Sequence, residues 1–228
     1  MIASRDGVGQ AVQPFTFLGP GPDGLRYQGL LHVPAGTGPF PAVVISHPHS
    51  AYGGSMEVPL VRRIAEEMAE HGIVALRFNF RGVGGSQGTS TNGEGEMVDL
   101  LGALEVANRL PQVASGRLGL VGYSFGAWIG MLVAACDEIP LRGLVAITLP
   151  LWQAGIDWQP AISCPKLFIS GDRDGLCPLA DLQAFLHKLP PPAELQVIPY
   201  ADHFFCHREA EVARLVVEFW IRYLCTAS

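Results

Sequence analysis

Short runs dominated by apolar residues recur along this chain, separated by longer stretches in which apolar residues return every three or four positions. The first pattern is that of strands buried on both faces, the second that of amphipathic helices. Their alternation predicts an α/β fold: a mostly parallel sheet with helices on both faces. The runs predict strands over Tyr27–Val33, Pro41–Ser46, Ile73–Phe80, Arg117–Gly122, Gly143–Thr148, Pro165–Ser170 and Glu194–Pro199. Between them, Val58–His71 carries a helical stripe at Val58, Val61, Ile64, Ala65 and Met68 and stops at Gly72, and Glu96–Leu110 behaves likewise before Pro111. Further helices are expected over Phe125–Ala135, Leu179–Leu189 and Arg208–Leu224. Pro20-Gly21-Pro22-Asp23-Gly24 reads as a turn joining two early strands at an antiparallel edge, giving a sheet of about seven or eight strands. No repeat or linker interrupts the pattern. Pro190-Pro191-Pro192 is a stiff connection too short to separate domains, so residues 1–228 read as one domain.

Composition narrows the class. Hydrophobic residues make up 49% and charged residues 16% of the chain, enough apolar mass for a sheet-centred core. A net charge of -6 and the lack of any Lys or Arg run argue against nucleic acid or an anionic membrane as partner, and leave a neutral or cationic small molecule open. Residues 1–10 lack the basic start and apolar run of a secretory signal, and no apolar stretch reaches the length of a membrane span, so a cytoplasmic protein is expected. Five cysteines without a C-x-x-C pair suggest free, mostly buried thiols rather than disulfides or a zinc site. Whether the chain acts as a monomer or a homodimer is not readable.

The chemistry concentrates in three places. Gly122-Tyr123-Ser124-Phe125-Gly126 falls between the strand ending at Gly122 and the helix starting at Phe125. In that context a serine sits on a strained strand-to-helix turn, presented at the carboxyl end of the sheet. A hydroxyl needs a base, and the base needs an orienting carboxylate; both come later, each after a strand. Asp174, in Gly171-Asp172-Arg173-Asp174-Gly175, is the expected acid, with Asp172 holding its loop and Asp202 a distant third. His203, in Ala201-Asp202-His203-Phe204-Phe205, is the expected base. The oxyanion donors expected are the backbone N–H groups of Phe125 and of His49, which lies in His47-Pro48-His49-Ser50-Ala51-Tyr52-Gly53-Gly54. His47 and Tyr123, beside these donors, are expected to contact substrate. Trp152, Ile156 and Trp158 either line an acyl pocket or belong to the core.

Other readings fall away. His47 and His49 lack a third nearby ligand for a metal. The glycines of Arg81-Gly82-Val83-Gly84-Gly85-Ser86-Gln87-Gly88 miss the dinucleotide fingerprint at Gln87, leaving a turn that shapes the pocket floor. Cys177 and Cys206 flank the acid and base but sit at no elbow. No cofactor and no metal are therefore expected.

Taken together, His47–Gly54, Arg77–Gly82, Gly122–Gly126 and Ala201–Phe205 resemble motifs of the α/β-hydrolase superfamily, and in particular the small cap-less bacterial serine hydrolases and esterases related to dienelactone hydrolases. The resemblance spans nearly the whole chain. It implies the hydrolase fold, a Ser-His-Asp triad and a small ester as substrate, by way of an acyl-enzyme. The segment between Thr148 and Pro165 is too short for a helical cap, which implies an open, shallow site. The same machinery serves thioesterases and peptidases, and a binding protein can keep the fold without turnover; the sequence does not separate these.

Overall fold

In the β-strands of this protein, neighbouring residues feed opposite cores. The computed structural model describes residues 10–20, 24–154 and 158–225. Its strands are β1 (Ala11–Leu18), β2 (Arg26–Val33), β3 (Phe40–Ser46), β4 (Val74–Phe78), β5 (Val113–Tyr123), β6 (Leu144–Ile147), β7 (Lys166–Gly171) and β8 (Ala193–Ile198). They form an 8-stranded sheet in the order β1-β2-β4-β3-β5-β6-β7-β8. The β1–β2 and β2–β4 pairs are antiparallel and all others parallel.

Along β3, Ala42 and Val44 join one apolar cluster while Val43 and Ile45 join the other. In β6, Leu144 and Ala146 alternate with Val145 and Ile147 in the same way. This period of two lets continuous apolar runs bury both faces. Helices α1 (Pro59–Glu70) and α6 (Glu209–Trp220) close one face, through residues such as Ile64, Met68, Val212 and Trp220. Helices α2 (Glu94–Arg109), α3 (Phe125–Cys136) and α5 (Leu179–Leu186) close the other, through Leu100, Ile129 and Leu182. No large cap domain stands over the sheet: among the described residues, the segment after β6 contributes only α4 (Leu151–Ala154). Among the described residues, no helix is long and apolar enough to cross a membrane.

The departures from expectation have local causes. The first strand carries no apolar alternation because β1 is an edge strand whose residues are exposed except Phe15 and Phe17. The centre of the turn expected before β2, Gly21 to Asp23, lies outside the described residues. The strand expected to reach Phe80 stops at Phe78, and the Phe80 N–H instead donates to His47 Nε2 at 3.1 Å. Helix α5 ends early in tighter turns, and α6 passes into a π-helical turn over Ile221–Cys225. A 3₁₀ turn at Ser50–Tyr52 and the four-residue α4 are too short to show any periodicity. Of the free cysteines only Cys177 is buried; Cys164 is half-buried and Cys136, Cys206 and Cys225 are exposed, so the expectation of mostly buried thiols does not hold.

Polar groups at the end of β4 tie the sheet to its loops. Asp99 of α2, fully buried, accepts from the Arg81 backbone at 2.9 Å, from the Arg81 guanidinium at 2.6 and 2.9 Å, and from the Tyr27 hydroxyl. Asn79 accepts from the Met56 N–H at 2.8 Å and donates to Gln28 at 2.9 Å. Gln28 also accepts from the Gly85 N–H at 2.7 Å, so the glycine-rich turn folds over β2 and does not form the pocket floor.

Two buried histidines make stability acid-sensitive. Burial, aided by the Arg77 charge, holds the His32 imidazole at about 4 against an ordinary 6.5. Burial also holds His47 at about 4, although the Pro48 carbonyl partly opposes it. The unfolded chain therefore binds protons below pH 6.5 that the folded chain refuses until about pH 4. Stability is complete above pH 6.5 and drains away towards pH 4, by about 3 kcal/mol for each ring. Urea midpoints measured from pH 7.5 to 4.5 should fall steeply, and His32→Gln should flatten part of that slope; a midpoint constant over this range would contradict the assignment.

Candidate active site

The sharpest local feature is the turn from β5 into α3. Ser124 has φ 55° and ψ -115°, a positive φ that a side chain adopts only when its surroundings enforce it. Its N–H donates to the Ile147 carbonyl at 2.8 Å and its carbonyl accepts from Ala127 and Trp128, so both neighbouring elements pin it. The flanking glycines are there for space. A Cβ on Gly122 would lie 2.4 Å from the Gly126 carbonyl oxygen, and one on Gly126 would lie 2.5 Å from that of Ser46. The serine hydroxyl is thus held over the N-terminus of a 12-residue helix.

His203, in the loop after β8, meets it. Nε2 of His203 lies 2.9 Å from Ser124 Oγ, and Nδ1 lies 2.9 Å from Asp174 Oδ2. The other Asp174 oxygen accepts the N–H groups of Leu176 and Cys177, both at 2.9 Å. With the carboxylate on Nδ1, the imidazole carries its proton there and turns a lone pair towards the serine. The His203 backbone is tied in as well: the Tyr123 hydroxyl donates to its carbonyl at 2.8 Å. Burial, with the nearby Asp174 charge, pushes that phenol upward, so it stays a donor. Asp172 instead accepts the Tyr200 N–H at 2.6 Å, and Asp202 the Phe204 N–H at 3.0 Å. Both hold their own loops.

Asp174, Cys177 and His203 also form the one group of possible metal-ligand atoms among the described residues. Its members are otherwise engaged. Burial, then the Asp174 charge, pushes the Cys177 thiol up, so it is a donor, 3.3 Å from the Thr148 carbonyl.

A cavity of about 770 Å³ opens over Ser124 and His203. The loop after β3 forms one wall. There His49 accepts the Ala51 N–H through Nδ1 and faces Asn92 Oδ1 through Nε2, both at 3.1 Å, while its ring packs edge-on against Phe125 at 4.6 Å. The Phe125 N–H precedes the first helical hydrogen bonds of α3, among the donors that a helix cannot satisfy itself. Tyr123 and Trp152 reach the cavity, as expected. Two expected substrate contacts do not. His47 is buried beneath the wall, bracing Pro48 and Phe80 through its two nitrogens, and Trp158 stacks on Phe185 in the core at 5.8 Å. Ile156 lies outside the described residues. Sequence reasoning missed Tyr52, Leu176 and Phe204, which line the cavity; each neighbours a motif residue, the only signal they give.

Residues 41–215 match the model of the alpha/beta hydrolase domain. The chain belongs to the alpha/beta hydrolase family. An alpha-beta serine hydrolase homologue from Coxiella burnetii superposes on this hydrolase domain with a TM-score of 0.80 at 32% identity, over 91% of this chain and 96% of that one. A serine hydrolase without a lid from Xanthomonas campestris gives a TM-score of 0.78 at 30% identity, over 97% and 98%. A Synechocystis protein provisionally named a carboxymethylenebutenolidase is 26% identical, over 86% of this chain and 89% of that one. The hydrolase therefore falls with cap-less members of the family, in the group related to dienelactone hydrolases.

Proposed function

We propose that this protein is a serine carboxylesterase that hydrolyses small esters through an acyl-enzyme. The observation that carries the reading is the unbroken hydrogen-bonded line Ser124–His203–Asp174, with both contacts at 2.9 Å. Ser124 Oγ adds to the ester carbonyl carbon while its proton passes to His203 Nε2. The resulting oxyanion is held by the N–H groups of Phe125 and His49. As the tetrahedral species collapses, the C–O bond to the alcohol breaks and the alcohol leaves with the proton from His203. Water then gives His203 a proton as it attacks the acyl-serine, and Ser124 leaves with that proton as the free acid departs. Asp174 keeps the proton on Nδ1 throughout and stabilises the imidazolium.

A lactone is an internal ester, so the name of the Synechocystis relative is consistent with the same chemistry. The absence of a cap suits substrates that enter from bulk solvent.

Fluorophosphonate treatment of the purified protein tests the nucleophile, with a single mass increment expected on the peptide containing Ser124. Substitution tests the base: His203→Gln should lower kcat/KM for p-nitrophenyl acetate by about 10⁴-fold or more. Turnover by that variant within about tenfold of the wild-type protein would overturn the assignment of His203.

A further inference from the structure

Among the described residues, the lining of the cavity over Ser124 carries no fixed charge. Among the described residues that line it there is no Lys, Arg, Asp or Glu; the titratable groups are His49, His203 and the phenols of Tyr52 and Tyr123. His49 has both ring nitrogens engaged by neutral partners, and His203 is committed to Ser124 and Asp174. None of these described lining residues, engaged as they are, offers a cation to a substrate carboxylate.

The mouth carries the opposite signal. Tyr52 is 88% exposed, Trp152 70%, Phe204 61% and Leu176 55%, and all four line the cavity. They come from four separate segments: the 3₁₀ turn after β3, helix α4, the loop after β8 and the loop after β7. Large apolar groups left in water around an open site gain stability when an apolar ligand covers them. A ligand that lays hydrocarbon on this rim removes water from both surfaces at once.

We infer that the enzyme selects uncharged esters whose larger alkyl or aryl group lies against the rim of Tyr52, Trp152, Leu176 and Phe204, and that it discriminates against esters bearing a carboxylate. The inference rests on the hydrolase reading above. It separates this chain from the acid-bearing lactone denoted by the name of its Synechocystis relative. A carboxylate drawn into the cavity would lose hydration with no cation to replace it.

The test is a matched pair of alkyl esters with one leaving alcohol, ethyl pentanoate and monoethyl glutarate, followed by pH-stat titration on the wild-type protein at low and high salt. The neutral ester should be preferred by at least about 50-fold in kcat/KM, with most of that preference surviving high salt, which screens the overall charge of -6 but not a local desolvation cost. Turnover of monoethyl glutarate within about threefold of ethyl pentanoate, or a preference abolished by salt, would overturn the inference while leaving the esterase reading intact. Failure to hydrolyse either ester, or any p-nitrophenyl ester, would instead remove the esterase reading on which it rests.

Discussion

Ser124→Ala should lower kcat/KM for p-nitrophenyl esters by roughly 10⁵- to 10⁶-fold and leave the unfolding midpoint nearly unchanged. The size of the loss follows from how triads work: base and acid have nothing to act on once the hydroxyl is gone, so removing one member costs about as much as removing all. The unchanged midpoint follows from the backbone. The φ of 55° at this position is imposed by β5, α3 and the Ile147 carbonyl, and alanine meets the same constraint as serine. Ser124→Gly should be just as inactive yet more stable, by about 1 kcal/mol or more, because glycine adopts a positive φ without strain. Steady-state assays with denaturant melts of all three proteins provide the check. Activity retained in Ser124→Ala would place the ester chemistry elsewhere, and a glycine variant no more stable than wild type would remove the strain from the account.

Asp99→Ala should be the most damaging substitution for folding outside the site, costing about 3–5 kcal/mol. The carboxylate is buried and receives the Arg81 backbone, the Arg81 guanidinium and the Tyr27 hydroxyl together. Its removal leaves a guanidinium with only 14% side-chain exposure and a buried phenol without their partner. For a chain of this size such a loss lowers Tm by about 10 °C or more. Asp99→Asn, which keeps an acceptor of the same shape, should lose less. Asp99 does not line the cavity, so the folded fraction of either variant should turn over esters at the wild-type rate at low temperature. Calorimetry beside active-site titration separates the two effects, and a Tm within a few degrees of wild type for Asp99→Ala would refute the network's role.

Much of this architecture is legible in the sequence because the sheet is buried on both faces. Runs such as Ala42–Ile45 and Leu118–Gly122 have no polar residue to hide them, and Ser124 directly follows the second of these. Legibility fails where burial does. The exposed edge strand β1 is signalled by the turn that follows it and not by its own residues, because its Pro14 and Thr16 leave no apolar run to bound. It fails also where a residue type suits two places. His47 and His49 stand in one short motif, but only the fold shows that the first lies under the wall and the second in it. Trp152 and Trp158 are six positions apart in one segment, yet one stands in solvent at the mouth and the other stacks in the core.

The order of the strands sets how this enzyme ages under stress. Ser124 follows β5, in the interior of the sheet, whereas Asp174 and His203 follow β7 and β8, the last two strands at one margin. The outermost of them, β8, has Val197 partly open to solvent and pairs on one side only. Margins of a sheet open at lower free energy than its centre. When that margin frays, Ser124 keeps its strained turn but loses its contact with His203, so the half-life of the proposed ester hydrolysis on warming is a gauge of the β7–β8 margin and shortens before the remaining strands come apart.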